Sequence, residues 1–147
     1  MTNKELIKLL KAGKVQEFNE FRADNPDFIP DLRGIDLYVG KGSKSARLKG
    51  INFKDALLQD SNLQGAKLQG SNLQGAKLQD ANLYRTNLCM VNLQGSNLQG
   101  VNLNRALLQG AKFDKQQISI LLEVLGIQII KNKQWLPELL KIKVIED

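Results

Sequence analysis

A leucine or phenylalanine stands at every fifth residue from Leu48 to Phe113: Leu48, Phe53, Leu58, Leu63, Leu68, Leu73, Leu78, Leu83, Leu88, Leu93, Leu98, Leu103, Leu108 and Phe113. No regular element buries such a set on one side. A helix advances about 100° per residue, so a five-residue step drifts roughly 140° and winds the leucines around the whole cylinder. A strand alternates faces with period two, so residues five apart fall on opposite sides. Two residues before each large side chain sits a mostly smaller one, among them Ala56, Ser61, Ala66, Ser71 and Ala76, while the other three positions are mainly Asn, Gln, Lys, Asp and Gly. Each unit is therefore a short extended piece with one wet side, and a chain that keeps both apolar residues inside must bend once per unit in the same sense. The expected fold is an all-β solenoid whose fourteen large side chains form the core.

The unit reads Ala/Ser-Asn/Lys-Leu-Gln-Gly, as in SNLQG at 71–75 and again at 96–100. It resembles the pentapeptide-repeat family, whose pattern is A(D/N)Lxx, and the match runs from Ala46 to Lys115, about half the chain. The resemblance, to a cyanobacterial-type member, implies a right-handed quadrilateral β-helix with four units per coil, hence about four coils. Spacing alone implies a coil, not its number of sides or its hand.

Three regions follow. Residues 1–29 read as an N-terminal helical cap: Thr2 and Glu5 make a capping box, Leu6, Leu9 and Leu10 form a stripe, Gly13 stops the helix, and a second helix buries Val15, Phe18 and Phe21 before Asp24-Asn25-Pro26. Residues 30–115 are the repeats. Units centred on Leu32 and Leu37 precede a loop at 40–45, and the eleven residues from Leu37 to Leu48 suggest that the loop replaces one unit and adds one residue. Residues 116–147 read as a C-terminal helix and tail, the helix spanning Gln116 to Gly126 with an Asp114/Gln117 start. The open ends of a solenoid expose core and unpaired backbone, so α-helical caps at both termini are expected. The apolar C-terminal segment, with Trp135, also suits a homodimer contact.

Residues twenty apart would stack in such a coil at ~4.8 Å. Gln59, Gln79 and Gln99 would then form an amide ladder, Arg85 would lie beside Arg105, and Cys89 and Met90 would point outward. Phe53 and Phe113 would fall on one side near opposite ends.

Catalytic chemistry has little to work with. The chain has no histidine, one cysteine without such a partner, and no phosphate or dinucleotide loop. Asp60 and Asp80 share an edge, but Asp substitutes for Gly at turns, which explains them without a metal. We expect no enzyme, no cofactor, no metal site and no catalytic residue. No apolar run approaches the ~18 residues of a membrane span, the N-terminus lacks a clean secretory segment, and the lone Cys89 suits a reducing, cytoplasmic setting.

Charge separates the remaining functions. The net charge of +6 resides in residues 30–115, since 1–29 and 116–147 are each balanced. Lys41, Lys44, Arg47, Lys49 and Lys54 cluster in and after the loop, and with Tyr84, Arg85 and Arg105 they are the candidate partner contacts. Some pentapeptide-repeat proteins mimic DNA and bind DNA gyrase, giving quinolone resistance. That mimicry needs an acidic surface, and this body has the opposite sign. Direct nucleic-acid binding through the basic loop lacks stacking aromatics. The expectation is a scaffold for protein-protein interaction, in bacterial regulation or stress response, with gyrase mimicry and weak nucleic-acid binding as alternatives.

Overall fold

The structure, a computed structural model, describes residues 1–38, 46–125 and 141–145. Its repeat region is built from one turn used again and again. After each core residue the chain reverses through two turn residues, and the next small residue donates its N–H back to the core residue's carbonyl, as in Ala56 to Phe53 (3.1 Å) and Ala76 to Leu73 (3.1 Å). The second turn residue has positive φ, 68° at Gly75 for example, as a type II turn demands. The Asn before the core residue has its own task. Its side-chain oxygen accepts the N–H two residues on, as Asn72 does from Gln74 (3.0 Å) and Asn92 from Gln94 (3.1 Å). This Asx turn explains why Asn or Asp dominates that position.

Successive coils are joined by backbone hydrogen bonds in parallel register. Phe53 donates to Asn72 (2.8 Å), Asp55 to Gln74 (2.8 Å), and Asn72 returns a bond to Ile51 (2.9 Å). The bridges pair Asn52 with Asn72, Leu57 with Lys77, Asn62 with Asn82 and Lys67 with Asn87, all twenty residues apart. One coil is thus four units, and the sides can be lettered by their core residues: A for Leu58, Leu78 and Leu98; B for Leu63, Leu83 and Leu103; C for Leu48, Leu68, Leu88 and Leu108; D for Phe53, Leu73, Leu93 and Phe113. Each of these is at most 7% exposed. Complete burial of a leucine contributes about 1.5–3 kcal/mol, so the stacked interior supplies the main driving force.

The N-terminal units differ from expectation. Asp31 pairs with Leu57 and Asp36 with Asn62, an offset of twenty-six rather than twenty. Leu32 therefore belongs to side A, Leu37 to side B, and Leu48 to the very next side. The intervening segment replaces no unit; it inserts six residues between neighbouring sides, because four core residues are needed to close the first coil and Leu32, Leu37, Leu48 and Phe53 supply them. The loop itself, with Lys41 and Lys44, lies outside the described residues.

Two helices lie against the first coil. Helix α1 (Asn3–Ala12) starts on the Thr2/Glu5 capping box and ends at Gly13 with φ 69°; it buries Leu6 and Leu10. The Thr2 backbone and hydroxyl bonds hold the Glu5 carboxyl below its ordinary pKa. Helix α2 (Val15–Asp24) buries Phe18 edge-on against Phe53, with ring centroids 5.6 Å apart. Their polar side chains complete the backbone edge. The Asn3 amide bonds the Asp31 carbonyl and accepts the Asp31 N–H (3.1 Å); Asn19 donates to Gly50 (2.9 Å) and accepts from Asn52 (2.8 Å). Arg22, 5% exposed, donates to the carbonyls of Phe28 and Lys54 (2.8 Å), and burial pushes its guanidinium below the ordinary value while Asp55 opposes the shift.

At the other end β1 (Lys112–Asp114) pairs in parallel with β2 (Lys143–Ile145), which adds a strand beyond side D. A 3₁₀ turn at Lys115–Gln117 leads into α3 (Ile118–Val124), so the helix starts two residues later than Gln116. Buried Gln117 donates to Leu93 (2.7 Å) and Ser96 (2.9 Å), and its oxygen accepts from Asp114 (2.7 Å). Gly126 and Trp135 lie outside the described residues, as does most of the C-terminal segment in which a homodimer contact is expected.

The amide ladder is also displaced. It runs through Asn62, Asn82 and Asn102, with steps of 3.3 and 3.4 Å, whereas the Gln59 and Gln79 oxygens are buried without a partner. The Asn amides are pinned by their turns at adjoining coil positions; the Gln side chains leave from the turn itself.

Two stability measurements check these assignments. Leu78→Ala should cost about 2–5 kcal/mol in urea unfolding, while Gln79→Ala, which removes an unpaired oxygen, should change stability by no more than about 0.5 kcal/mol. Asn19→Ala should cost about 1–3 kcal/mol by leaving the Gly50 carbonyl and Asn52 N–H without their partner; an unchanged melt would show that water serves the edge equally well.

Candidate interaction face

The positive-φ position decides which side chains project at the corners. Of fourteen described turns, eight place Gly there (34, 50, 65, 70, 75, 95, 100 and 110) and three place Asp (55, 60 and 80), which tolerates this conformation. The remaining three are Arg85 (φ 56°), Met90 (61°) and Arg105 (59°). A long side chain there is strained relative to Gly. Asp60 and Asp80 hold the same turn in adjacent coils, and among the described residues no group of three potential ligands could hold a metal ion. Asp55 leans over Gly75 of the next coil and Asp80 over Gly100, where a Cβ would collide with the carboxylate.

Charge is unequal among the sides. Side A mixes Asp31, Arg33, Asp60, Lys77 and Asp80; Asp31 and Arg33 pair at 2.6 Å, which holds the Asp31 carboxyl below and the Arg33 guanidinium above their ordinary values. Side D mixes Lys54, Asp55, Lys112, Asp114 and Lys115. Side C, residues 46–50, 66–70, 86–90 and 106–110, carries Arg47, Lys49 and Lys67 and no acidic residue. Arg85 and Arg105 stand at the turn leading into it. Leu107, 55% exposed, lies on side C, and Met90, 67% exposed, stands at the turn that leaves it.

The sequence candidates therefore divide. Arg47 and Lys49 lie on side C, where the bridge from Arg47 to Lys67 sets a third cation beside them. Tyr84, Arg85 and Arg105 occupy the B-to-C turn, the Arg85 guanidinium 5.1 Å from the Tyr84 ring centroid. Among the described residues neither arginine has a carboxylate at ion-pair distance. Lys54 falls on the turn after side D, in a shallow groove with Asp55, Gln74, Gln94 and Asp114. Lys41 and Lys44 lie outside the described residues. Lys67 and Leu107 escaped the sequence reading. Their signal was the register: both occupy the outward position beside a core leucine on side C, which becomes legible only once the four-unit coil is known.

The pentapeptide repeats family matches eight copies over residues 44–75 and 90–115. These residues are pentapeptide repeats. Among solved structures, a pentapeptide repeat protein from the Arabidopsis thaliana thylakoid lumen is 32% identical with a TM-score of 0.51, over 56% of this chain and 53% of its own. This pentapeptide-repeat chain thus spans about half the length of that relative. A pentapeptide repeat protein, Rfr23, from the cyanobacterium Cyanothece 51142 is 26% identical (TM-score 0.41, 68% of this chain, 96% of the other). QnrB1, a plasmid-mediated fluoroquinolone resistance protein, is 17% identical (TM-score 0.42, 60% and 59%). No curated protein matches.

The strained turns give a stability prediction opposite to the usual one. Arg85→Gly and Arg105→Gly should leave stability unchanged or raise it by up to about 1 kcal/mol, the relief of strain offsetting glycine's greater unfolded entropy. Gly100→Ala, with φ 68° and Asp80 in contact, should lower it. Urea melts of the three variants check the sign.

Proposed function

We propose that this protein is a non-enzymatic scaffold that binds another protein, and that its repeats form a right-handed quadrilateral β-helix of four coils closed by helices at both ends. One observation carries the functional reading. The outward side chains project from a backbone lattice hydrogen-bonded coil to coil, so each side presents a fixed pattern, and side C alone is both acid-free and apolar in part. Diverging side chains on flat sides suit recognition of a surface better than enclosure of a substrate. The lone Cys89 supports placing it in the cytoplasm.

The positive body also separates this reading from gyrase mimicry. At micromolar concentration the protein should leave gyrase supercoiling unchanged, and any DNA binding should fade between about 50 and 200 mM salt without sequence preference, as counterion release requires. Gyrase inhibition persisting at the higher salt would restore the mimic. Tight, salt-resistant binding to one nucleic-acid sequence would replace the scaffold by a nucleic-acid reader.

A further inference from the structure

Resting on the scaffold reading, we infer that side C in the third and fourth coils, together with the turn that enters it, docks an acidic helical segment of a partner protein. Three independent features coincide there. Arg85, Met90 and Arg105 occupy the positive-φ position that Gly or Asp takes in every other described turn, and all three border this patch. Residues held in a disfavoured conformation point to a task beyond folding. Two exposed apolar side chains flank the same side, Leu107 at its outward position and Met90 at the turn leaving it. The side has no acidic residue, and Arg47, Lys49 and Lys67 continue its positive charge into the first two coils.

The chemistry selects the partner. Arg85 and Arg105 hold equivalent positions in adjoining coils, so their backbones are ~4.8 Å apart. That matches carboxylates at i and i+4 of a helix, whose Cβ atoms are about 5–6 Å apart, and guanidinium binds carboxylate in a two-pronged fashion. Leu107, two residues beyond Arg105, would receive the apolar side chain next to the carboxylates, and Met90 would meet the partner at the far edge of the side. Arginine, tyrosine and methionine are enriched in protein interfaces. Nucleic acid fits less well, because the one aromatic at the patch, Tyr84, already has its ring beside Arg85. A bilayer would need a broader apolar surface than two side chains.

The test pans a random phage-displayed peptide library over the intact protein and measures each selected peptide against three chains: native, Arg85→Gly/Met90→Gly/Arg105→Gly, and the side A control Lys77→Gln. The triple variant keeps its fold because Gly is the ordinary residue at those turns, and its melting temperature verifies this. Selected peptides should carry paired carboxylates beside an apolar residue and lose roughly 10-fold or more in affinity for the triple variant, with Lys77→Gln unchanged. Peptides that bind native and triple variant alike would overturn this surface while leaving the scaffold reading intact; an empty selection would overturn both. Selected peptides without carboxylates would overturn the partner's chemistry. A single-stranded 20-residue oligonucleotide or phosphatidylglycerol vesicles, bound at about 150 mM salt and released by the triple substitution, would overturn a protein partner.

Discussion

The coil-to-coil backbone hydrogen bond is the interaction on which everything else rests. It runs parallel, at an offset of twenty residues from Arg47 onward and of twenty-six across the inserted segment, so side chains on a side find a counterpart one step along the axis. Leucine stacks on leucine, small residue on small residue, turn on turn. A register slip of one residue would send the core leucines outward and bring polar side chains in. The ladder also creates its own difficulty, because each end leaves N–H and C=O groups with no next coil. Asn3, Asn19 and Arg22 serve the first coil and Gln117 the last, side-chain amides and a guanidinium taking the place of a strand. Burial of Arg22 follows from that service rather than from an ion pair.

The same lattice restricts where specificity can be written. Core and small positions are committed to packing, and the residue before the core is committed to its Asx turn wherever it is Asn or Asp. What remains free is the two turn residues and the outward position when it holds something else. The turn prefers Gly, so a large side chain there is tolerated against the backbone's preference. Arg85, Met90 and Arg105 are such cases, and Leu107 is an apolar residue at an outward position. Their grouping around one side is why that side, rather than the loop cluster seen first in the chain, is the better candidate for recognition.

The repeat could be read from the residues because its constraint is local. Large and small apolar residues separated by two, a polar remainder and Gly at the corner describe one bend, and the bend recurs. The Thr2/Glu5 box and Gly13 were legible for the same reason, each acting within a single helix turn. Asn19 and Arg22 were not, since nothing in an amphipathic helix distinguishes a polar residue facing water from one facing a backbone edge. The Gln ladder was misplaced because stacking alone does not orient an amide; the Asn turn does. The expected replacement of a unit before Leu48 failed because counting along the chain cannot tell an omitted side from an excursion between two sides.

By itself, then, the sequence determined a chain that must coil, the residues of its interior, and the sign and location of its charge, since each follows from nearest-neighbour spacing or composition. The family resemblance implied four units to a coil, and tertiary structure decided the rest: the first coil closed across the inserted segment, and the meeting of Arg47 with Lys67 and of Met90 and Leu107 about one side. Those relations join residues twenty or more positions apart. Only the paired backbone carries information over that distance.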